Sequence, residues 1–207
     1  SNQPGSVGQV LARNLVAGGF AGSIMPVNPH ESEICSIRSY TTVGDLPQQP
    51  DLAILATPAP TIPGLVAQLG GIGCRAAIVI TAGLDANLRQ RMLNSARPNL
   101  MRIVGPNCLG MLSPVRGIKA SFAQKAPLRG RIAFMTQSGA IATSMIDWAL
   151  GKGVGFSHVL SLGDMADVDF GDLLDFLALD PETSAILIYA ETITEARKFM
   201  SAGRIAS

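Results

Sequence analysis

The chain has 207 residues, 47% hydrophobic and 15% charged, with 22 glycines and a formal net charge of +1, which predicts a compact α/β protein full of tight turns. That balance argues against an extended nucleic-acid face, and no run of about 18 apolar residues is present to span a membrane. There is no basic-then-apolar leader, and three cysteines without metal-ligand spacing (Cys35, Cys74 and Cys108) fit a reducing cytoplasm.

Taken in order, Pro4-Gly5-Ser6-Val7-Gly8 is a loop that runs into a helix whose apolar stripe is Val10, Leu11, Leu15 and Val16. Gly18-Gly19 ends that helix. A glycine-rich turn before a helix cradles phosphate when a strand feeds it; a plain helix start looks much the same. The covered chain is expected to begin just after a first central strand. Gly22 to Pro29 is expected to be a strand and its exit. A dinucleotide fold places an acid there to hold a ribose hydroxyl, whereas this chain has Asn28-Pro29-His30, which counts against NAD. Cys35 to Pro50 is polar and turn-rich, expected to be a connection with little function of its own.

Asp51–Ala56, Ala76–Ile80 and Met101–Val104 are buried strands separated by helices through Ile62–Leu69 and through Leu88, Met92 and Leu93. They exit into Thr57-Pro58-Ala59, Thr81-Ala82-Gly83 and Gly105-Pro106-Asn107-Cys108. Open parallel sheets bind ligands at such carboxyl ends. Ser113 to Pro127 lacks periodicity and reads as a domain connection. Ile132–Met135 is then a strand, Gln137-Ser138-Gly139 a turn, and Ala140 onward a helix. That turn suits an anion at the helix start, and Ser138 equally suits an ordinary N-cap. Val159–Leu162, a helix through Leu173–Leu177, Ala185–Tyr189 and a helix from Glu195 complete a second α/β unit, apparently cut short at Ser207.

The ordered motifs PGSVG, PVNP, ATPAP, ITAGL, GPNCLG, TQSGA and SLGDMADVDFGDLLDFL resemble the nucleoside-diphosphate-forming acyl-CoA synthetases, relatives of the succinyl-CoA synthetase α subunit. The stretch from Asp147 to Leu177 is especially similar to the branch fused to an acetyltransferase domain, the Pat-type bacterial protein lysine acetyltransferases. The resemblance implies an α/β chain in two parts. Residues 1–124 would be a Rossmann-like CoA-binding domain lacking its first strand, and residues 125–207 the first part of a flavodoxin-like ligase domain. It places CoA or acyl-CoA on Gly5, Ser6, Val7 and Gly8, on Val27 and Asn28, on Thr57, Pro58 and Ala59, and on Thr81, Ala82 and Gly83. The family often has Lys after the Asn-Pro, near a CoA phosphate; here His30 stands instead.

The resemblance also implies a phosphate pocket of Asn107, Cys108, Gln137, Ser138, Gly139 and Ala140. Glu191 would orient a phosphohistidine carried beyond Ser207. The implied reaction joins a small carboxylic acid to CoA, with ATP, ADP and Mg bound elsewhere in the full-length protein. Implied partners are a β-like ATP-grasp domain or subunit, a possible GNAT acetyltransferase domain and an oligomeric assembly; no metal site, nucleic acid or membrane is implied. The rival function is a non-catalytic acyl-CoA sensor regulating that acetyltransferase. Read as residues alone, Glu191 also suits an exposed helix start, Cys108 a small buried thiol and His158 a structural histidine. Asp164, Asp167 and Asp169 lack calcium-loop spacing and read as a solvated acidic turn.

Overall fold

In the computed structural model, which describes residues 5–206, six α-helices and ten strands build two main sheets and a small two-stranded hairpin. Helix α1 (Val7–Ala17) starts where the Ser6 hydroxyl accepts the Gln9 amide. Strands β1 (Glu33–Ile34) and β2 (Ile37–Arg38) form a small antiparallel hairpin, tightened at Cys35 and Ser36 by left-handed backbone. Then come β3 (Leu52–Leu55), α2 (Ile62–Gly71), β4 (Ala76–Val79), α3 (Ala86–Ala96) and β5 (Arg102–Val104). The three strands pair in parallel in the order β3-β4-β5.

β4 is buried on both faces, as a sheet covered on two sides requires, and successive side chains enter different cores. Ala77 and Val79 pack with Ile62, Val66 and Leu69 of α2 and Met92 of α3. Ile78 and Ile80 face Leu11 of α1 and Cys108. Two of the covering helices start at a side-chain cap, Ser6 for α1 and Asp85 for α3, whose carboxylate accepts the Leu88 amide at 2.8 Å.

The second sheet contains β6 (Gly110–Ser113), β7 (Ile118–Ser121), β8 (Leu128–Thr136), β9 (Gly155–Ser161) and β10 (Ala185–Tyr189), in the order β10-β8-β9-β6-β7. β10, β8 and β9 run parallel; β6 and β7 are antiparallel. Helix α4 (Gly139–Lys152) covers one face, burying Ala142, Ile146 and Ala149 against Phe134, Phe156 and Val159. On the other face α5 (Phe170–Ala178) and α6 (Ala196–Ile205) enclose Ala133, Met135, Leu160, Leu174 and Leu177.

Three expectations need correction. Gly22–Pro29 is not a strand: only Val27 bridges, to Tyr40, because Pro26 and Pro29 remove two donors from any ladder. Ser113–Pro127 is not an irregular connection. Residues 110–121 form the β6–β7 hairpin, whose Met111 and Leu112 pair with Leu160 and Val159, so this hairpin, read as part of the first unit, completes the second sheet. Third, the Asp164–Asp169 loop is tied down rather than solvated. Its amides at Asp164, Ala166 and Val168 donate to the carbonyls of Pro106, Gly105 and Ile103 at 2.9, 2.9 and 3.0 Å. No helix among the described residues is long and apolar enough to cross a membrane.

Candidate functional site

The exits of the parallel strands are tied into one row by hydrogen bonds. At the end of β3, the Thr57 carbonyl accepts the Thr81 hydroxyl at 2.7 Å, joining it to the exit of β4. The Thr81 carbonyl accepts the Asn107 amide at 3.0 Å, adding the exit of β5. Asn107 adopts left-handed backbone, and its Nδ2 donates to Asp164 Oδ1 at 3.1 Å. Asp164 Oδ2 in turn pairs with Arg89 of α3 at 3.3 Å. Asp164 follows β9, so this contact carries the row from the first sheet to the second. There the Leu162 amide donates to Thr136, the last residue of β8, at 2.8 Å, and the Leu109 amide donates to Ser161 Oγ at 3.0 Å. The carboxyl ends of both parallel arrays therefore meet at residues 105–109 and 161–166.

Beyond them lies the turn into α4. Thr136 Oγ1 accepts the Ser138 amide at 3.0 Å, and Ser138 Oγ caps the Ile141 amide at 3.3 Å. The amides of Gly139 and Ala140 precede the first intrahelical donor, the Ala142 amide, and stay at the positive end of the helix dipole. A Cβ on Gly139 would meet only Leu109 Cβ at 3.5 Å, an ordinary contact, so the fold itself does not require glycine here. The Gln137 side chain bonds the neighbouring exit: Oε1 accepts the Glu191 and Thr192 amides at 2.7 and 2.9 Å, and Nε2 donates to Thr192 Oγ1 at 2.9 Å. It thereby brackets the exit of β10 to the exit of β8, with Glu191 exposed beside the turn.

The Cys108 side chain faces the interior. Its thiol is 3% exposed, donates to the Val79 carbonyl at 3.4 Å, and burial pushes its pKa up to about 12. His158, within β9, is equally buried; desolvation lowers its pKa and Asp180, 3.6 Å away, partly opposes that.

Around α1, the Gly5 amide is satisfied by Gln9 Oε1 at 2.9 Å, and the amides of Val7 and Gly8 face the helix start. Pro4 of that motif lies outside the described residues. The exit after Val27 borders a cavity of about 380 Å³. Asn28, whose Oδ1 accepts the His30 amide at 2.9 Å, forms one wall; Arg38, Ser39 and Thr41 form another. The stretch Cys35–Pro50, read as a plain connection, thus supplies a cation and two hydroxyls. The hairpin that carries them has no long periodicity to announce it.

Residues 1–114 match the family described as CoA binding domain. The chain belongs to that family. This CoA-binding chain continues, over residues 129–207, into a match with the succinyl-CoA ligase like flavodoxin domain. It is 40% identical over 206 residues to acetate–CoA ligase [ADP-forming] I of Archaeoglobus fulgidus, covering 97% of the chain and 30% of that protein. Against subunit alpha of acetate–CoA ligase [ADP-forming] I of Pyrococcus furiosus it is 32% identical, covering 100% of the chain and 47% of that subunit. The solved acetyl-coenzyme A synthetase 1 of Ca. Korarchaeum cryptofilum, in complex with phosphate and ADP, superposes with a TM-score of 0.95. That match has 33% identity and covers 99% of this chain and 46% of that one. The CoA-binding chain spans less than half the length of these relatives. Among its described residues no three His, Cys, Asp or Glu side chains are grouped to hold a metal ion.

Proposed function

We propose that this chain is the CoA-binding portion of an ADP-forming acyl-CoA synthetase acting on a small carboxylic acid. The observation that carries the reading is the continuous row from Thr57 through Thr81, Asn107 and Asp164 to Thr136, Gln137 and Glu191. It aligns six strand exits along one edge, where a long ligand can lie across open α/β ends. The amides of Val7 and Gly8 at the start of α1 suit a diphosphate. Thr57, Pro58, Ala59, Ala82 and Gly83 offer small, partly apolar edges to an extended chain. CoA, when bound, supplies the thiol that accepts the acyl group.

The second part of the proposal concerns the turn at Ser138. The free amides of Gly139 and Ala140, with room left at Gly139, suit an anion, and Glu191 stands beside them. A bare carboxylate repels phosphate. Glu191 fits only if an N–H donor stands between, such as a histidine supplied from outside the described residues, whose second nitrogen the carboxylate would orient. ATP, ADP and Mg²⁺ belong to an ATP-grasp partner in this reading, and the setting is a reducing cytoplasm.

Calorimetric titration tests the first part. CoA and acetyl-CoA are expected to bind and NAD to bind weakly or not at all; tighter binding of NAD overturns the reading. If the same titrations show acyl-CoA binding while a complete protein carrying this segment never forms acyl-CoA from ATP, acid and CoA, a regulatory sensor replaces the ligase.

A further inference from the structure

Asp164 holds the strand-exit row together where the two sheets meet. Its amide donates to the Pro106 carbonyl at 2.9 Å. Its carboxylate is divided between two elements of the first unit: Oδ1 accepts Asn107 Nδ2 at 3.1 Å, and Oδ2 accepts Arg89 of α3 at 3.3 Å. Arg89 keeps this pairing with its Nε buried and unpartnered among the described residues. The backbone beneath is equally fixed. A Cβ on Gly163 would stand 2.2 and 2.4 Å from the Pro106 and Asn107 carbonyl oxygens, and Asn107 itself holds left-handed backbone at φ +59°.

A carboxamide can face a neighbour with either end, but an ionised carboxylate only accepts, so Asp164 selects the flip that turns Nδ2 toward itself. One Nδ2 hydrogen is spent there. The other hydrogen and Oδ1 have no partner among the described residues, and Asn107 is exposed. The side chain therefore offers one donor and one acceptor in a fixed relation. That pair matches an acyl-pantetheine arm, whose thioester carbonyl accepts and whose amide N–H donates. Along the row, Asn107 lies between the start of α1, suited to a diphosphate, and the free amides of Gly139 and Ala140, suited to an anion. CoA laid from the first toward the second carries its thiol end past Asn107. We propose that Asp164, braced by Arg89, is a positioning residue that aims the Asn107 carboxamide at the thioester end of bound acyl-CoA. This rests on the CoA-binding reading above.

The test titrates acetyl-CoA, and adenosine 3′,5′-bisphosphate as a nucleotide end without the thiol arm, into wild type and variants. Asp164→Leu should weaken acetyl-CoA by about tenfold and leave the bisphosphate unchanged. Asp164→Asn keeps an acceptor for Nδ2 and should stay within about threefold of wild type. Asn107→Gly removes the carboxamide while tolerating the left-handed backbone. In that background Asp164→Leu should cost acetyl-CoA nothing further, since no carboxamide is left to aim. This double variant decides on acetyl-CoA alone, however weakly the bisphosphate binds. Equal weakening of both ligands by Asp164→Leu, no effect on either, or a further loss in the Asn107→Gly background overturns the assignment while leaving CoA binding intact. If Asp164→Leu does not fold, Arg89→Met removes the brace instead and is read by the same outcomes. Failure of the wild-type chain to bind acetyl-CoA at all is the failure of the underlying reading.

Discussion

Burial decides the chemistry of single residues here. Cys108 sits in a motif that invites a reactive role, yet desolvation holds its thiol near pKa 12 and Cys74 is raised for the same reason. A thiol titration of the native protein at pH 8 should therefore label Cys35 quickly and the other two only on unfolding. His158 illustrates the same effect for a base. Its folded pKa lies below the unfolded value of 6.5, so the unfolded chain binds the proton more readily. The stability this withholding of a proton allows is complete above pH 6.5 and is lost as pH falls from there through the folded pKa. Denaturant midpoints measured from pH 8 to 5.5 should decline across that window, and His158→Gln should flatten the decline. The partner of His158, Asp180, is fully buried and also accepts from Arg116 and Thr183 at 3.3 and 2.7 Å. Asp180→Ala should cost about 2 kcal/mol, because Arg116 and Thr183 both lose a charged acceptor.

The strand exits work as elements because their backbones are fixed by neighbours rather than by their own sequence. Gly163 shows how tightly. Its φ is +56°, and a Cβ there would stand 2.2 Å from the Pro106 carbonyl oxygen and 2.4 Å from that of Asn107. Gly163→Ala should push the β9 exit off the β5 exit and lower stability by about 2 kcal/mol in urea unfolding. If the row is where CoA lies, the same variant weakens CoA as well. The start of α1 offers a further functional test, since Gly8 is the second residue of that helix. Gly8→Trp should leave the fold intact and reduce CoA affinity by about 2 kcal/mol, roughly thirtyfold, if the Val7 and Gly8 amides cradle the diphosphate.

At the scale of the whole molecule, the acidic loop clamps the two sheets together. Arg102 on β5 reaches Asp167 at 3.1 Å and Asp172 of α5 at 3.2 Å, and Lys198 of α6 pairs with both Asp169 and Asp172 at 2.9 and 2.6 Å. Apart from the buried Asp169 these groups are partly exposed, so the pairs between them contribute little by themselves. What they hold is the backbone ladder from Asp164 to Val168. Arg102→Met should cost no more than about 1 kcal/mol globally. It should still speed hydrogen exchange at Ala166 and Val168 well beyond that of the β4 amides, and equal acceleration everywhere would count against a local clamp. The described residues contain only two histidines, one buried, so this chain by itself should form no acyl-CoA and no acid-labile phosphoprotein with ATP, acetate and CoA. Labelling of His30 would overturn that.

The sequence by itself determined the alternation of elements and the small-residue exits. Both are local: apolar runs such as Ala77–Val79 and Ala133–Met135 bury on two faces, and Ser6, Asp85, Ser138 and Asp169 cap the helices that follow them. The ordered motifs made the CoA-binding family legible as well. Tertiary structure decided what depends on pairing between distant segments. Met111 and Leu112 look irregular until Leu160 and Val159 supply their partners, since a four-residue antiparallel strand has too short a period to identify itself. Asp164, Asp167 and Asp169 read as a solvated turn because nothing near them in sequence neutralises them; Arg89, Arg102 and Lys198 come from three other elements. Arg38 joins the cavity at Asn28 only when the β1–β2 hairpin folds its side chain toward that turn, a juxtaposition set by the Val27–Tyr40 bridge rather than by any local pattern.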